Sequence, residues 1–284
     1  MRIALLTSVD IRHRYVARFL AKRFDVVAVG YEQTGYHPID TRLDELSVSE
    51  KEMAQTHFEE RTRQEEKYFG HDAAFLTPSD GPAIIQIEPG CLNHEKTLTF
   101  LDQQEPEVVV VYGTNLIKSA LLKRWSGNMI NMHLGLSPYY RGTATNFYPL
   151  LNDQLQFIGA TIHSIDAGID SGAIFAHARP AIVAEDMPHT IGCKAIQAGL
   201  DALVNVLGHM SDGRGIAPVP QWEQPGARLY LRKDYHPRQV AALYRLIEGG
   251  LISRYVERAS EVAPLVKLVS LADSVPTLQA GQRP

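Results

Sequence analysis

Four short apolar runs constrain this chain more than any other feature. They are Ile3-Ala4-Leu5-Leu6-Thr7, Val26-Val27-Ala28-Val29-Gly30, Ala83-Ile84-Ile85-Gln86-Ile87 and Val108-Val109-Val110-Val111-Tyr112. Runs that are apolar at nearly every position suit strands buried on both faces, the situation inside a parallel sheet covered by helices. Tyr15 to Lys22 carries Val16, Phe19 and Leu20 at helical spacing between the first two runs. The alternation predicts an α/β protein with a Rossmann-like, mostly parallel sheet flanked by helices. Such sheets bind ligands at the carboxyl ends of their strands. Thr7 to Arg14 and Tyr112 to Leu116 therefore fall on the functional rim.

The 284 residues, 45% of them hydrophobic, suffice for one large domain with a smaller appendage. The expected division is 1–217 for the main domain and 218–284 for a small C-terminal α/β extension, with the joint at the Pro- and Gly-containing stretch 218–228. A net charge of −4 and a pI near 6.3 speak against nucleic acid as partner. Cys91 and Cys193 are too few for a disulfide framework or a thiolate zinc site, which fits a reducing compartment. Asp10, Arg12, His13 and Arg14 cut the first apolar run short of a signal segment or membrane span. These features together predict a cytoplasmic protein; monomer and homodimer are both left open.

Leu43 to Gly70 is dense in charge and too long for a plain connection. It reads as one or two mostly solvated helices inserted in the main domain, docked by Phe58, Tyr68 and Phe69, and serving as a decorated surface, a lid or a partner face. Met129 to Met132 forms a further short strand ending at His133. Ile158 to His163 and Ala173 to His177 read as two strands joined by the turn Asp166 to Gly172. Helices are expected near 146–151, over 187–210 and over 236–247, a strand over 227–232, and a frayed end over 276–284.

The chemistry concentrates around Asn131. Strand alternation sends Asn131 and His133 to one face, pairing a neutral amide donor with a proton carrier. Asp166 and Asp170 both sit on the Gly-containing turn, and position alone leaves them even as partners for the imidazole. A carboxylate beside His133 is expected to raise its pKa. Arg141, after the rigid Ser137-Pro138 step, is either an anion clamp or a loop-stabilising cation. Arg12 and His13 are candidates to meet a phosphate, and Tyr139, Tyr140 and Tyr148 to stack on a base or sugar. His163 and His177 read as supporting residues, since no metal-helix signature accompanies the histidines and no metal is expected. G-x-G-x-x-G, P-loop and G-x-S-x-G patterns are missing from the sequence.

Taken in order, Tyr112-Gly113 after the Val-rich strand, Ile130-Asn131-Met132-His133, Ser137-Pro138 with Arg141-Gly142, Gly159-Ala160-Thr161 and Asp170-Ser171-Gly172 closely resemble the formyltransferase catalytic domain. That family includes methionyl-tRNA formyltransferase, glycinamide ribonucleotide formyltransferase and the N-formyltransferases of nucleotide-linked amino sugars. The resemblance is strong from about residue 107 to 180 and, over 1–30, extends to sheet topology. It implies a formyltransferase fold and 10-formyltetrahydrofolate as donor. It assigns Asn131 to the formyl oxygen, His133 to proton transfer and Asp170 to the imidazole. It places the pterin against Tyr112, Gly113, Thr114, Asn115 and Leu116, with Ile165 and Asp166 in the closing loop. The tRNA enzyme's basic C-terminal barrel does not fit the residues after Gly226, which points to a small-molecule amine such as a nucleotide-linked amino sugar. A formyltetrahydrofolate hydrolase, a methionyl-tRNA formyltransferase-like enzyme and a non-catalytic folate- or partner-binding module are the alternatives.

Overall fold

A β-α-β unit opens the chain as expected: β1 (Arg2–Ser8), α1 (Ile11–Ala21) and β2 (Asp25–Glu32). The computed structural model describes residues 1–33 and 42–274, so the fraying expected over 276–284 lies outside the described residues. α2 (Val48–Phe69), β3 (Ala83–Ile87), α3 (Glu95–Gln104), β4 (Val108–Tyr112), α4 (Ser119–Arg124) and β5 (Met129–His133) follow. The second half holds β6 (Tyr140–Gly142), α5 (Tyr148–Leu151), β7 (Ala160–Ser164), β8 (Ile174–Ala178) and α6 (Pro188–Ser211). It closes with β9 (Arg228–Tyr230), α7 (Arg238–Glu248), α8 (Leu251–Val262) and α9 (Leu271–Ser274).

Among the described residues the main sheet has seven strands in the order β3-β2-β1-β4-β5-β7-β8. The five strands β3, β2, β1, β4 and β5 are parallel, β7 runs antiparallel to β5, and β8 runs antiparallel to β7 because a turn, not a crossover helix, joins those two. The winding reverses between β1 and β4, and the crevice at their carboxyl ends is the point where open α/β sheets take ligands. Alternate side chains explain the continuous apolar runs. Ile3, Leu5, Val108, Val110, Ile130 and Met132 pack with α1 and α6, while Ala4, Leu6, Val109, Val111 and Met129 pack with Leu101 of α3 and Leu121 of α4.

The charged stretch 43–70 is a short 3-10 turn and one 22-residue helix, solvated on its outer face and docked along one inward stripe. Ser47 and Glu50 close a reciprocal capping box at its start, and α2 then docks against α1, α6 and α7, burying Ala54, His57, Glu65 and Phe69. Phe69 is fully buried and Tyr68 packs at its side, whereas Phe58 is half-buried. The charges occupy the outer face, while the inward stripe includes an acidic residue, Glu65, paired with arginines.

The residues after 217 pack onto the rest of the chain. β9 pairs in parallel with β6, and its register sets Gly142 against Tyr230. Leu243, Leu251, Ile252 and Tyr255 share one core with Leu150, Ile191 and Ala195 of the main domain, and Val266 shares another with Leu136, Tyr139, Tyr140 and Tyr148. β6 and α8 were not expected from the sequence. β6 is only three residues long and exists because a distant strand pairs with it.

Candidate active site

Asn131 and His133 lie at the carboxyl end of β5, on the same face. β7 runs antiparallel beside them and sets His163 directly opposite Asn131 and Thr161 opposite His133. Cross-strand partners share a face at close range, which is why Asn131 Nδ2 reaches His163 Nε2 at 3.2 Å. His163 Nδ1 donates to Ser164 O at 2.7 Å, leaving Nε2 to accept from the amide. His163, expected as a supporting residue, is brought into this group by the register of β7.

The turn after β7 delivers Asp170. Its backbone is in the left-handed region at φ +48°, at a cost of about 1 kcal/mol that surrounding contacts must offset. Oδ2 lies 3.4 Å from His133 Nδ1 and accepts from the Gly142 amide at 2.8 Å. Oδ1 lies 3.4 Å from Asn131 Nδ2 and 3.6 Å from His163 Nε2. Asp166, left even with Asp170 by sequence position, is exposed and accepts from Gly168 N and Ser171 Oγ within its own turn. Gly142 permits the approach of the amide: at φ +94° an added Cβ would stand 2.0 Å from Tyr230 O.

The electrostatics reverse one expectation. Burial, the largest influence on His133, pushes its pKa below the ordinary value, and it outweighs the raising influence of Asp170 and of the Tyr140 carbonyl. The resting imidazole is neutral. Each ring nitrogen nevertheless faces an oxygen, Nδ1 toward Asp170 and Nε2 toward Tyr140 O at 3.3 Å, so a proton added to the ring finds an acceptor at either end. Burial opposes the charge on Asp170 as well, but His133, His163 and the Gly142 amide prevail and hold this carboxyl well below the usual range.

The expected pterin loop sits at the end of β4. Tyr112 is buried edge-on to His13, and Gly113, at φ +71°, brings its backbone so close that a Cβ would meet His13 Nε2 at 2.1 Å. Asn115 donates its backbone and side-chain N–H groups to the buried Glu32 carboxylate, each at 2.7 Å, and accepts from Arg232 at 2.7 Å. Thr114 is half-buried and Leu116 exposed, with the Leu116 carbonyl accepting from Asn93. Ile165 packs beside the core on the α3 and α4 side of the sheet. Glu32, Asn93 and Arg232 were missed by sequence reasoning because their partners lie 23 to 117 residues away.

The expected substrate contacts fare unevenly. Arg12 is not free for a phosphate: it forms ion pairs with Glu65 at 2.7 Å and Asp10 at 2.7 Å. His13 is 3% exposed, and burial, aided by Arg12 and Arg61, pushes its pKa well down, so it carries no charge toward an anion. Tyr139 is core rather than a stacking platform, packed on Phe157 and Trp222 with its hydroxyl donating to Lys267 O. Tyr148 stacks on Tyr230 with ring centroids 3.5 Å apart. Arg141 stands apart: its Nε is buried with no hydrogen-bond partner among the described residues. His177 is structural, donating to Ser137 O and accepting from Val269 N, each at 2.8 Å. Among the described residues no group of three or more His, Cys, Asp or Glu is arranged to hold a metal ion, and no helix is long and apolar enough to cross a membrane.

A family model described as formyl transferase matches residues 47–207, more than half of the chain, taking in all of α2 and stopping within α6. A methionyl-tRNA formyltransferase of Finegoldia magna is 32% identical over 126 residues, which is 44% of this chain and 40% of that protein. The match thus spans well under half the length of that relative. Among solved structures, phosphoribosylglycinamide formyltransferase from Anaplasma phagocytophilum shares the fold over 81% of this chain and 98% of its own, with a TM-score of 0.55 at 14% identity. A 4-N formyltransferase from Francisella tularensis does so over 86% of each chain, with a TM-score of 0.52 at 19% identity.

Proposed function

The chain belongs to the formyl transferase family, and on that premise we propose that it moves a formyl group from 10-formyltetrahydrofolate to the amine of a small molecule, a nucleotide-linked amino sugar. The observation that carries this reading is the convergence of Asn131, His133 and Asp170 at the carboxyl end of β5. The donor set fits the folate: an amide N–H, a neutral imidazole and an ionised carboxylate, beside a backbone loop held in shape by Glu32 and Arg232. When bound, that folate supplies the formyl carbon and a leaving nitrogen.

Asn131 donates to the formyl oxygen as negative charge develops there, exchanging its long 3.4 Å contact with Asp170 for a charge-assisted one. His133, neutral at rest, takes the proton that the attacking amine sheds and returns it to the leaving nitrogen. Amine and folate thus exchange one formyl group and one proton, with none left over. Asp170 stabilises the imidazolium between those two transfers. No covalent enzyme intermediate is required.

One feature suits a phosphate-bearing acceptor. Arg141 precedes Gly142, the residue that contacts Asp170, and its unpartnered Nε offers a donor to a phosphate. Incubation with 10-formyltetrahydrofolate and a panel of amines, read by mass spectrometry, tests the proposal. A formylated nucleotide amino sugar supports it. Formate release without any formylated amine identifies a hydrolase instead, and folate binding without turnover identifies a binding module.

A further inference from the structure

Two of the contacts made to Asp170 from outside its own turn depend on residues after 217, beyond the family-matched 47–207. One is the Gly142 amide, placed by the pairing of β6 with β9, where Arg228 N donates to Tyr139 O and Thr143 N to Tyr230 O, each at 2.8 Å. The other is Gln221. Its Nε2 donates to the carbonyls of Asp170 and Gly172, both at 2.8 Å, so its two hydrogens bridge the residues on either side of Ser171. Val219, two residues earlier, exchanges both backbone hydrogen bonds with Ile174 at 2.8 Å, which anchors the segment to the start of β8. Gln221 Oε1 is buried without a hydrogen-bond partner among the described residues, where the hydrogen bonds of this side chain run through its nitrogen to the catalytic turn.

We propose that Gln221 is a positioning residue for Asp170, holding the turn 166–172 in the conformation that presents its carboxylate to His133 and Asn131. A left-handed aspartate has extended alternatives close at hand, and in them the carboxylate leaves β5. The side-chain contacts of Asp170 orient the carboxylate, while the backbone that carries it is tied by Gln221. The segment after 217 is on this account a working part of the site, and the role assigned to Gln221 rests on the formyl-transfer reading above.

Gln221→Met keeps the length and approximate volume of the side chain and removes both donors. Two measurements test the role: steady-state kinetics with the amine that the wild-type protein formylates, and NMR titration of the labelled His133 imidazole. We expect kcat to fall about ten- to a hundredfold with both KM values within about twofold, the pattern of a misplaced proton-transfer group. The His133 midpoint should move down by about half a pH unit or more, because a displaced Asp170 no longer raises it. The melting temperature should stay near wild type. A folded Gln221→Met protein with unchanged kcat and an unchanged His133 midpoint overturns the proposal. Should that variant fold poorly, Gln221→Asn retains the amide but retracts it by one methylene. Its kcat and His133 midpoint must then depart from wild type in the same directions, and wild-type values for both overturn the proposal. The titration needs no turnover, so it reads the role of Gln221 even if wild type transfers no formyl group, an outcome that sinks the reaction assignment alone.

Discussion

His133 Nδ1 lies 3.4 Å from Asp170 Oδ2, joining a strand-end imidazole to a carboxylate carried by a left-handed turn residue. The pair divides the work: burial keeps the ring neutral at rest, and the carboxylate steadies it once it takes a proton. His133→Ala and Asp170→Ala should each lower kcat by about a hundredfold or more, the usual worth of acid–base help. Steady-state rates with the formylated amine check this, and near-normal turnover in either variant removes the assigned roles.

The pH dependence has a definite sign. A neutral His133 is the form that takes the proton, and its pKa is lowered, so kcat/KM should hold level through neutral pH and fall on the acid side with a midpoint below 6.5. Asp170 raises that pKa, so Asp170→Asn should move the midpoint further toward acid while lowering the plateau. A midpoint that moves up in Asp170→Asn contradicts this electrostatic account.

Arg232 donates to Asn115, and Asn115 in turn grips Glu32. This chain holds the loop expected to receive the folate ring. Arg232→Ala should therefore raise the KM for the formyl donor by about three- to tenfold and leave kcat within about twofold, as expected for a contact equally useful before and during reaction. A loss confined to kcat would place Arg232 elsewhere in the mechanism.

What the sequence disclosed follows from how local each signal is. The runs Ile3 to Thr7 and Val108 to Tyr112 announce buried strands by themselves, and Asn131 with His133 needs only strand alternation. Gln221 and Arg232 were invisible because their roles arise from pairings across 51 to 117 residues, where the fold decides the partner. Arg12 misled for the opposite reason. A basic residue at a helix start on the ligand rim suggests an anion site, yet the partner is Glu65, brought in by a helix whose docking face the charge-rich composition concealed.

That ion pair invites a stability test. Glu65 is 7% exposed and serves Arg12 at 2.7 Å and Arg61 at 3.0 Å, tying α2 to the start of α1. Glu65→Ala removes one of the two carboxylates paired with the part-buried Arg12, and with Asp10 still at 2.7 Å the loss should stay below the roughly 3–5 kcal/mol of a fully unpaired buried charge. Urea unfolding should show a lower midpoint. The double variant Glu65→Leu/Arg12→Met should recover much of the loss, since removing both charges leaves none buried unpaired.

A second feature of α2 makes its docking sensitive to acid. His57 faces His189 of α6 with ring centroids 4.3 Å apart, and Tyr244 of α7, Phe58 and Phe147 close the cluster, with Arg61 nearby. Burial, the largest influence, lowers the pKa of His57 to about 3 and that of His189 to about 4. The unfolded chain takes up protons near pH 6.5 while the folded chain resists them. Stability from the neutral pair is therefore intact above about 6.5 and declines as pH falls toward the folded values. The decline between pH 6.5 and 5 should be about 2 kcal/mol for each imidazole. Urea midpoints measured at pH 7.5, 6 and 5 should fall in that order. Because His133 and His177 are also depressed by burial, the double variant His57→Gln/His189→Gln should flatten the slope without abolishing it. An unchanged slope would show that the junction of α2, α6 and α7 is not where this protein yields to acid.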